Sequence, residues 1–194
     1  MLRIKRLQDE LEEKNRELER VSISDGLTGL FNHRHIHGLL HEEFERADRT
    51  GERLTVAMFD LDRFKSVNDN YGHQSGDRVL EKFADILRET AREIDKLGRY
   101  GGEEFMTLLP DTGIEDGVVF VERVRNEVER RPFNIGKDEP LHMTISAGIA
   151  TYPDPSINDP ETLVRLADEA LYAAKTSGRN RVIRFDRMPQ EVSA

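Results

Sequence analysis

The sequence has no cysteine. That removes disulfide frameworks, thiolate metal sites and cysteine nucleophiles at once. It has no apolar run near the length of a transmembrane helix, and its first residues are charged where a secretion signal is apolar. It has no basic excess. Lys and Arg number 29 against 38 Asp and Glu, a formal net charge of −9, which argues against bulk nucleic-acid binding through a basic surface. A cytoplasmic location fits these absences. There is no internal repeat and no Gly-rich phosphate loop of the Walker or Rossmann type. What remains, 194 residues, suffices for one domain with a sizeable core and an appendage.

Residues 1–22 read as that appendage. Ile4, Leu7, Leu11, Leu18 and Val21 fall on heptad a and d positions, with Lys14 breaking one d. The pattern predicts a short coiled-coil helix suited to parallel dimerisation. Its uncapped start at Met1 reads as a fragment of a longer protein with an upstream sensory or receiver domain. The domain proper is expected over 23–187 and a frayed tail over 188–194.

Within the domain, Asp25 is placed to cap a helix carrying Leu30, Ile36, Leu40 and Phe44. His33, His37 and His41 fall four apart on it and are expected to form a solvated face rather than a metal site. Leu54–Phe59 reads as a central strand buried on both faces. It is followed by a loop over 66–76 and a helix from Asp77 to Lys96. Gly101 and Gly102 predict a tight hairpin turn, with a second strand from Phe105 and a helix over 114–130. Leu141–Ile149 alternates as a half-buried strand. A helix through Leu163–Ala174 and a last strand over 181–185 follow. Short strands separated by helices predict an α/β (α+β) fold, with a mostly antiparallel sheet flanked by helices.

The chemistry sits in acids. Asp60 ends the buried strand, Asp62 follows, and Glu103 and Glu104 stand together at the hairpin. Adjacent carboxylates repel, so a cation near them is expected. Oxygen donors without His or Cys favour Mg²⁺ or Mn²⁺. Lys65, Lys175 and Arg179 are candidate partners for phosphate.

In chain order the sequence shows Asp25-Gly-Leu-Thr-Gly-Leu30, Phe59-Asp-Leu-Asp-Arg-Phe-Lys65, Asn68-Asp69, Tyr71-Gly-His73, Gly76-Asp77, Arg99-Tyr-Gly-Gly-Glu-Glu-Phe105, Thr144-Ile-Ser-Ala-Gly-Ile149, Ala167-Asp168 with Ala170-Leu-Tyr-Ala-Ala-Lys175, and Gly178-Arg-Asn180. On these the chain resembles a GGDEF-family diguanylate cyclase domain, in the variant with Glu103 for the first acid of the naming motif. Gly26 and His33 depart from the family's usual Pro and Arg.

The resemblance implies a palm-like nucleotide-cyclase fold with a central five-stranded sheet. It implies condensation of two GTP into cyclic di-GMP across a homodimer, with two metals per active site. Asp60, the Leu61 carbonyl, Glu103 and Glu104 are then the metal residues. Glu103, Glu104 and Lys65 are the catalytic ones. Asn68, Asp77, Phe64, His73, Lys175 and Arg179 contact the substrate, with backbone N–H groups of 64–67 adding donors. Asn68 and Asp77 read guanine; a helix N-cap is the structural alternative for Asp77. Arg92-Glu-Ile-Asp95 matches the family's R-x-x-D motif, implying product inhibition by cyclic di-GMP, with Arg123 or Arg125 as a further cation. The structural alternative is an i, i+3 ion pair on a helix. A non-catalytic cyclic di-GMP receptor is the competing function; the retained Asp60, Lys65, Glu103 and Glu104 favour the enzyme.

Overall fold

The computed structural model describes residues 23–136 and 139–188. The coiled-coil expectation for 1–22 and nearly all of the expected tail lie outside them.

The sheet is built around β1, Leu54–Leu61, all eight residues of which are buried. Period-two alternation divides them between two cores. Ala57, Phe59 and Leu61 join one, while Leu54, Val56 and Met58 join the other. The hairpin strands are β2, Lys96–Gly101, and β3, Glu104–Pro110. With β4, Ile145–Tyr152, and β5, Val182–Arg184, the order is β2-β3-β1-β4-β5. All pairings are antiparallel except β4 with β5. This is the five-stranded, mostly antiparallel sheet of the expected fold.

Helices cover both faces. One face carries α2, Phe64–Tyr71, α3, His73–Thr90, and α4, Ile114–Arg130. Val79, Phe83 and Leu87 of α3 and Phe120, Val124 and Val128 of α4 close there over Phe59 and Phe105. The Phe83 ring meets those of Phe59 and Phe105 edge-on, at 6.0 and 4.7 Å between centroids, as ring quadrupoles favour. Each such fully buried ring stabilises by roughly 1.5–3 kcal/mol. The other face carries α1, His33–Thr50, and α5, Pro160–Thr176, with Ile36, Leu40, Leu163, Ala167 and Leu171 in its core. A Cβ at Gly148 of β4 would lie 2.0 Å from the Leu171 nitrogen and 2.1 Å from the Ala167 carbonyl oxygen. The α5 backbone therefore rests directly on the strand, and only glycine fits.

Five local expectations are corrected. Asn32, not Asp25, caps α1, its Oδ1 accepting from the His35 N–H at 3.0 Å. Asp25 instead accepts from the N–H and hydroxyl of Thr28 and from Arg99. The stretch expected as a loop contains α2, because Phe64 and Val67, three apart, are both buried and packing overrides the turn-forming residues around them. The following helix accordingly starts at His73 and ends at Thr90, well before Lys96. β4 begins at Ile145 and is buried on both faces rather than one, since helices cover each side. β5 is only three residues and leads into a 3₁₀ turn, Phe185–Arg187.

Candidate active site

The β1–β3 register sets Asp60 directly opposite Glu104. Gly101 pairs with Glu104, so the hairpin turn is Gly102-Glu103. Of the two glycines only Gly102 has positive φ, 46°, which moves the expected turn by one residue. The shift separates the two glutamates in role. Glu103 stands at the tip, and Glu104 is a strand residue beside Asp60. The Leu61 N–H donates to the Glu103 carbonyl at 3.4 Å, tying the tip to the end of β1. Asp60, Leu61, Glu103 and Glu104 are thus brought together, as the sequence predicts.

Lys175 reaches this group from the last turn of α5, its Nζ 2.7 Å from Asp60 Oδ2. Asp60 is only 5% exposed. Burial pushes its carboxyl above the usual range; Lys175 opposes that, while Glu103 and Asp62 add to it. Burial also raises Glu104, reinforced by Asp60 against Lys175. Burial works against the charge on Lys175, but Asp60, Glu104 and Glu103 outweigh it and raise its pKa. One ammonium therefore serves three carboxylates, two of them directly opposed across a sheet, where like charges repel.

Among the described residues, no three His, Cys, Asp or Glu side chains group closely enough to hold an ion unaided. The donors present still fit a hard cation. They are carboxylate oxygens short of positive charge, and the Lys175 ammonium already occupies a cation's place on Asp60. Mg²⁺ commonly takes one or two protein carboxylates and completes its shell with phosphate and water.

Asp62 is a different case. It is 6% exposed. Its Oδ2 accepts from the Thr144 hydroxyl at 2.7 Å and the Asn180 N–H at 3.0 Å, and its Oδ1 from the Ser146 hydroxyl at 2.7 Å. Grouped with the metal candidates by sequence, it is committed to hydrogen bonds instead.

Asp62 forms part of the wall of a cavity of about 400 Å³, with Arg63, Ser66, Tyr71, Thr144 and Arg179 among its other lining residues. Two cations meet there. Arg63, which the sequence reading passed over, has left-handed φ of 59° as the chain turns into α2, and Arg179 has φ of 65°. Lys65, Asn68, His73 and Asp77 do not line this cavity. Lys65 is exposed on the first turn of α2 and His73 is exposed at the start of α3. Asn68 lies over Gly76, where an added Cβ would be 2.0 Å from its Oδ1. Asp77 follows at once, exposed on the second turn of α3, so the two expected guanine readers are neighbours from different helices. Asp77 is not an N-cap; Gly72 holds that place without a side-chain bond. The Phe64 side chain is buried in the core, which leaves only its backbone for a ligand.

Arg92 and Asp95 lie elsewhere, in the turn between α3 and β2 rather than on a helix. The Arg92 Nη2 donates to Asp95 Oδ1 at 2.7 Å, to the Thr112 hydroxyl at 2.7 Å and to the Pro110 carbonyl at 3.2 Å. They line a cavity of about 280 Å³ with Asp116, Val119, Phe120 and Arg123. Arg125 is not in it; it bonds Glu122, Glu129 and Asn180.

The histidines of α1 form a largely solvated face, as expected, with His33 and His41 exposed and His37 half-buried. The rings of His33 and His37 lie 4.6 Å apart and both pack on Tyr100. Burial lowers the His37 pKa, and the neighbouring His33 and His41 lower it further. His41 pairs with Glu161 at 2.9 Å.

Residues 22–181 match the family described as diguanylate cyclase, GGDEF domain. The chain is 41% identical over 164 residues to the response regulator PleD of Caulobacter vibrioides, covering 84% of this chain and 36% of that protein. It is 42% identical over 161 residues to the diguanylate cyclase DgcP of Pseudomonas aeruginosa, covering 83% and 24%. The chain thus spans about a third or less of these curated relatives. Among solved structures, the coiled coil and GGDEF domain of DgcB from Caulobacter crescentus, in complex with c-di-GMP, superposes with a TM-score of 0.84 at 31% identity, covering 94% of each chain. The active GGEEF domain of a Vibrio cholerae diguanylate cyclase gives 0.75 at 32%, covering 79% of this chain and 96% of that one.

Proposed function

The chain belongs to the GGDEF family of diguanylate cyclase domains, and from that premise we propose that it condenses two GTP into one cyclic di-GMP, releasing two pyrophosphates. The observation that carries this reading is the Asp60–Glu104 pair, opposed across β1 and β3, with the Lys175 ammonium on Asp60 and the charges of Glu104 and Glu103 also acting on it. Each domain holds one GTP, so two copies of the chain face one another. Each 3′-oxygen bonds to the α-phosphorus of the other GTP as a phosphoanhydride bond there breaks and the hydroxyl proton leaves.

Asp60, the Leu61 carbonyl, Glu103 and Glu104 are the residues that would hold two divalent cations, Mg²⁺ or Mn²⁺. When bound, these lower the pKa of the attacking hydroxyl and neutralise the departing pyrophosphate. Glu103, half-buried at the hairpin tip, helps accept the hydroxyl proton. Lys65, Lys175 and Arg179 take the phosphates, with N–H groups at the start of α2. Gly101 and Gly102 leave open space beside the site for the nucleotide. Asn68 and Asp77 take guanine, Asp77 accepting from its N1–H and 2-amino group. Adenine lacks both donors, so ATP is rejected by up to ~10⁴-fold. The cavity at Arg92 and Asp95 takes cyclic di-GMP as inhibitor, with Arg123 as a further cation on its wall. His73, beside the α2–α3 junction, is assigned to the same substrate surface.

The matching DgcB fragment is a coiled coil with a GGDEF domain. The greater length of PleD, a response regulator, supports an additional signalling domain. No described helix is long and apolar enough to cross a membrane. Incubation with GTP and Mg²⁺, with products resolved by chromatography, is the test. Cyclic di-GMP with two pyrophosphates is the expected result; a folded dimer that forms none sinks the reading.

A further inference from the structure

Asp62 is a buried carboxylate with no part in the chemistry above, and what it holds is unusual. Gly178, Arg179 and Asn180 have consecutive positive φ values of 121°, 65° and 46°. Two non-glycine residues in that region persist only when their surroundings fix them. The peptide unit joining Arg179 to Asn180 is gripped at both ends. Its N–H donates to Asp62 Oδ2 at 3.0 Å, and its carbonyl accepts from the Arg181 Nε at 2.9 Å. The orientation of that plane sets ψ of Arg179 and φ of Asn180. Asp62 is itself pinned to Thr144, just before β4, and to Ser146 of β4, and its own N–H donates to the Thr144 carbonyl at 2.9 Å. The last β1 turn, the start of β4 and the α5–β5 turn are thereby locked into one unit at the wall of the basic cavity.

We infer that Asp62 is a positioning residue for Arg179: it fixes the left-handed turn that presents the guanidinium to a nucleotide phosphate, and it does so as a hydrogen-bond acceptor, not as a metal ligand. That Arg179 grips phosphate rests on the functional reading above; that Asp62 holds the turn does not. The acceptor role makes an unequal demand on substitutions. The amide of Asp62→Asn can place its oxygen at Oδ2, keeping both the Thr144 and Asn180 donors, and turn its NH₂ to the Ser146 hydroxyl, which can accept as well as donate. Asp62→Ala keeps none of these bonds.

Two measurements test this. In the first, Asp62→Ala raises the KM for GTP about tenfold, the size of one lost charge-assisted contact, with kcat held within about threefold. Asp62→Asn restores KM to within about threefold of the parent, and Asp62→Ala adds less than about twofold to Arg179→Ala. In the second, amide exchange at 178–181 without nucleotide is faster in Asp62→Ala and close to the parent's in Asp62→Asn. Loss of turnover in Asp62→Asn as complete as in Asp60→Asn overturns the inference, as does parental exchange in Asp62→Ala. If Asp62→Ala does not fold, Asp62→Asn alone decides, by the same turnover comparison and by parental exchange at 178–181. A parent protein that forms no product refutes the functional reading, while the exchange arm still decides this one.

Discussion

Asp60 and Asp95 are both buried carboxylates held by one cation, and they lie toward opposite ends of β3. Asp95 is matched. Arg92 gives it three donors, its backbone N–H, Nε and Nη2, and fixes itself further on the Pro110 carbonyl and Thr112 hydroxyl; the Arg92 pKa is raised, first of all by the bond to Asp95. Asp60 is not matched, because Lys175 is shared with Glu104 and Glu103. The contrast separates two ways of being a binding site. The Asp60 end is short of positive charge before any ligand arrives, so a cation relieves strain already present. The Arg92 end is complete in itself, so a ligand must replace bonds that exist. Arg92 allows this because its side chain is half exposed while Asp95 is nearly covered.

The sharpest way to break the contrast is at the tip. Glu103→Gln is expected to lower turnover by about 10²-fold or more with circular dichroism unchanged; retained turnover removes Glu103 from the proposed machinery. Next in size is the response to cation. Mg²⁺ at a hundred times its dissociation constant should raise unfolding free energy by about 2.7 kcal/mol, and Asp60→Asn should abolish most of that rise. An equal rise in both proteins would mean the ion binds elsewhere. At the other end, Arg92→Ala leaves Asp95 buried without its cation, an expected loss of about 1–3 kcal/mol in denaturant unfolding. The same variant should relieve inhibition by cyclic di-GMP, and an unmoved inhibition curve would end the ligand reading of that cavity.

The smallest effect is on pH dependence in chelator. Asp60 and Glu104 have raised folded-state pKa values, so the folded chain binds these protons more tightly than the unfolded chain. Their contribution favours folding below their ordinary values of 3.8 and 4.5 and is lost as pH rises through the higher folded values. Glu104→Gln should therefore lose stability less steeply than the parent as pH rises above 4.5. Parallel slopes would show that the crowding has no energetic weight.

The parts of this fold legible in sequence were those where one rule acts alone. The unbroken run at Leu54–Phe59 could only be a covered strand, and the apolar stripes of α4 and α5 stand out at helical spacing. α2 was not legible, because its turn-forming residues speak for a loop and only Phe64 and Val67, once packed, speak for a helix. β4 misled for the opposite reason. Its alternating Thr, Ser and Gly look solvent-facing, yet Ser146 is a buried donor to Asp62 and Gly148 lies beneath α5. The site divides in the same way. Glu103, Glu104 and Asp60 announce themselves as acids at a turn and a strand end. Their register, the demotion of Asp62 to a hydrogen-bond acceptor and the contribution of Arg63 depend on contacts between distant segments. Thr144 and Ser146, two apart at the start of β4, were the available hint of paired hydroxyls facing one acceptor.

The contact at Gly148 has a mechanical meaning. Helix and strand touch there through backbone atoms, with no rotamer to yield. Lys175 lies four residues beyond Leu171, about 6 Å along the axis, while Glu161, the partner of His41, lies near the opposite end of the same helix. Neither side can shift at Gly148 without moving main chain, so the contact sets the height of α5 over the sheet and, one turn on, the height of the Lys175 ammonium at Asp60.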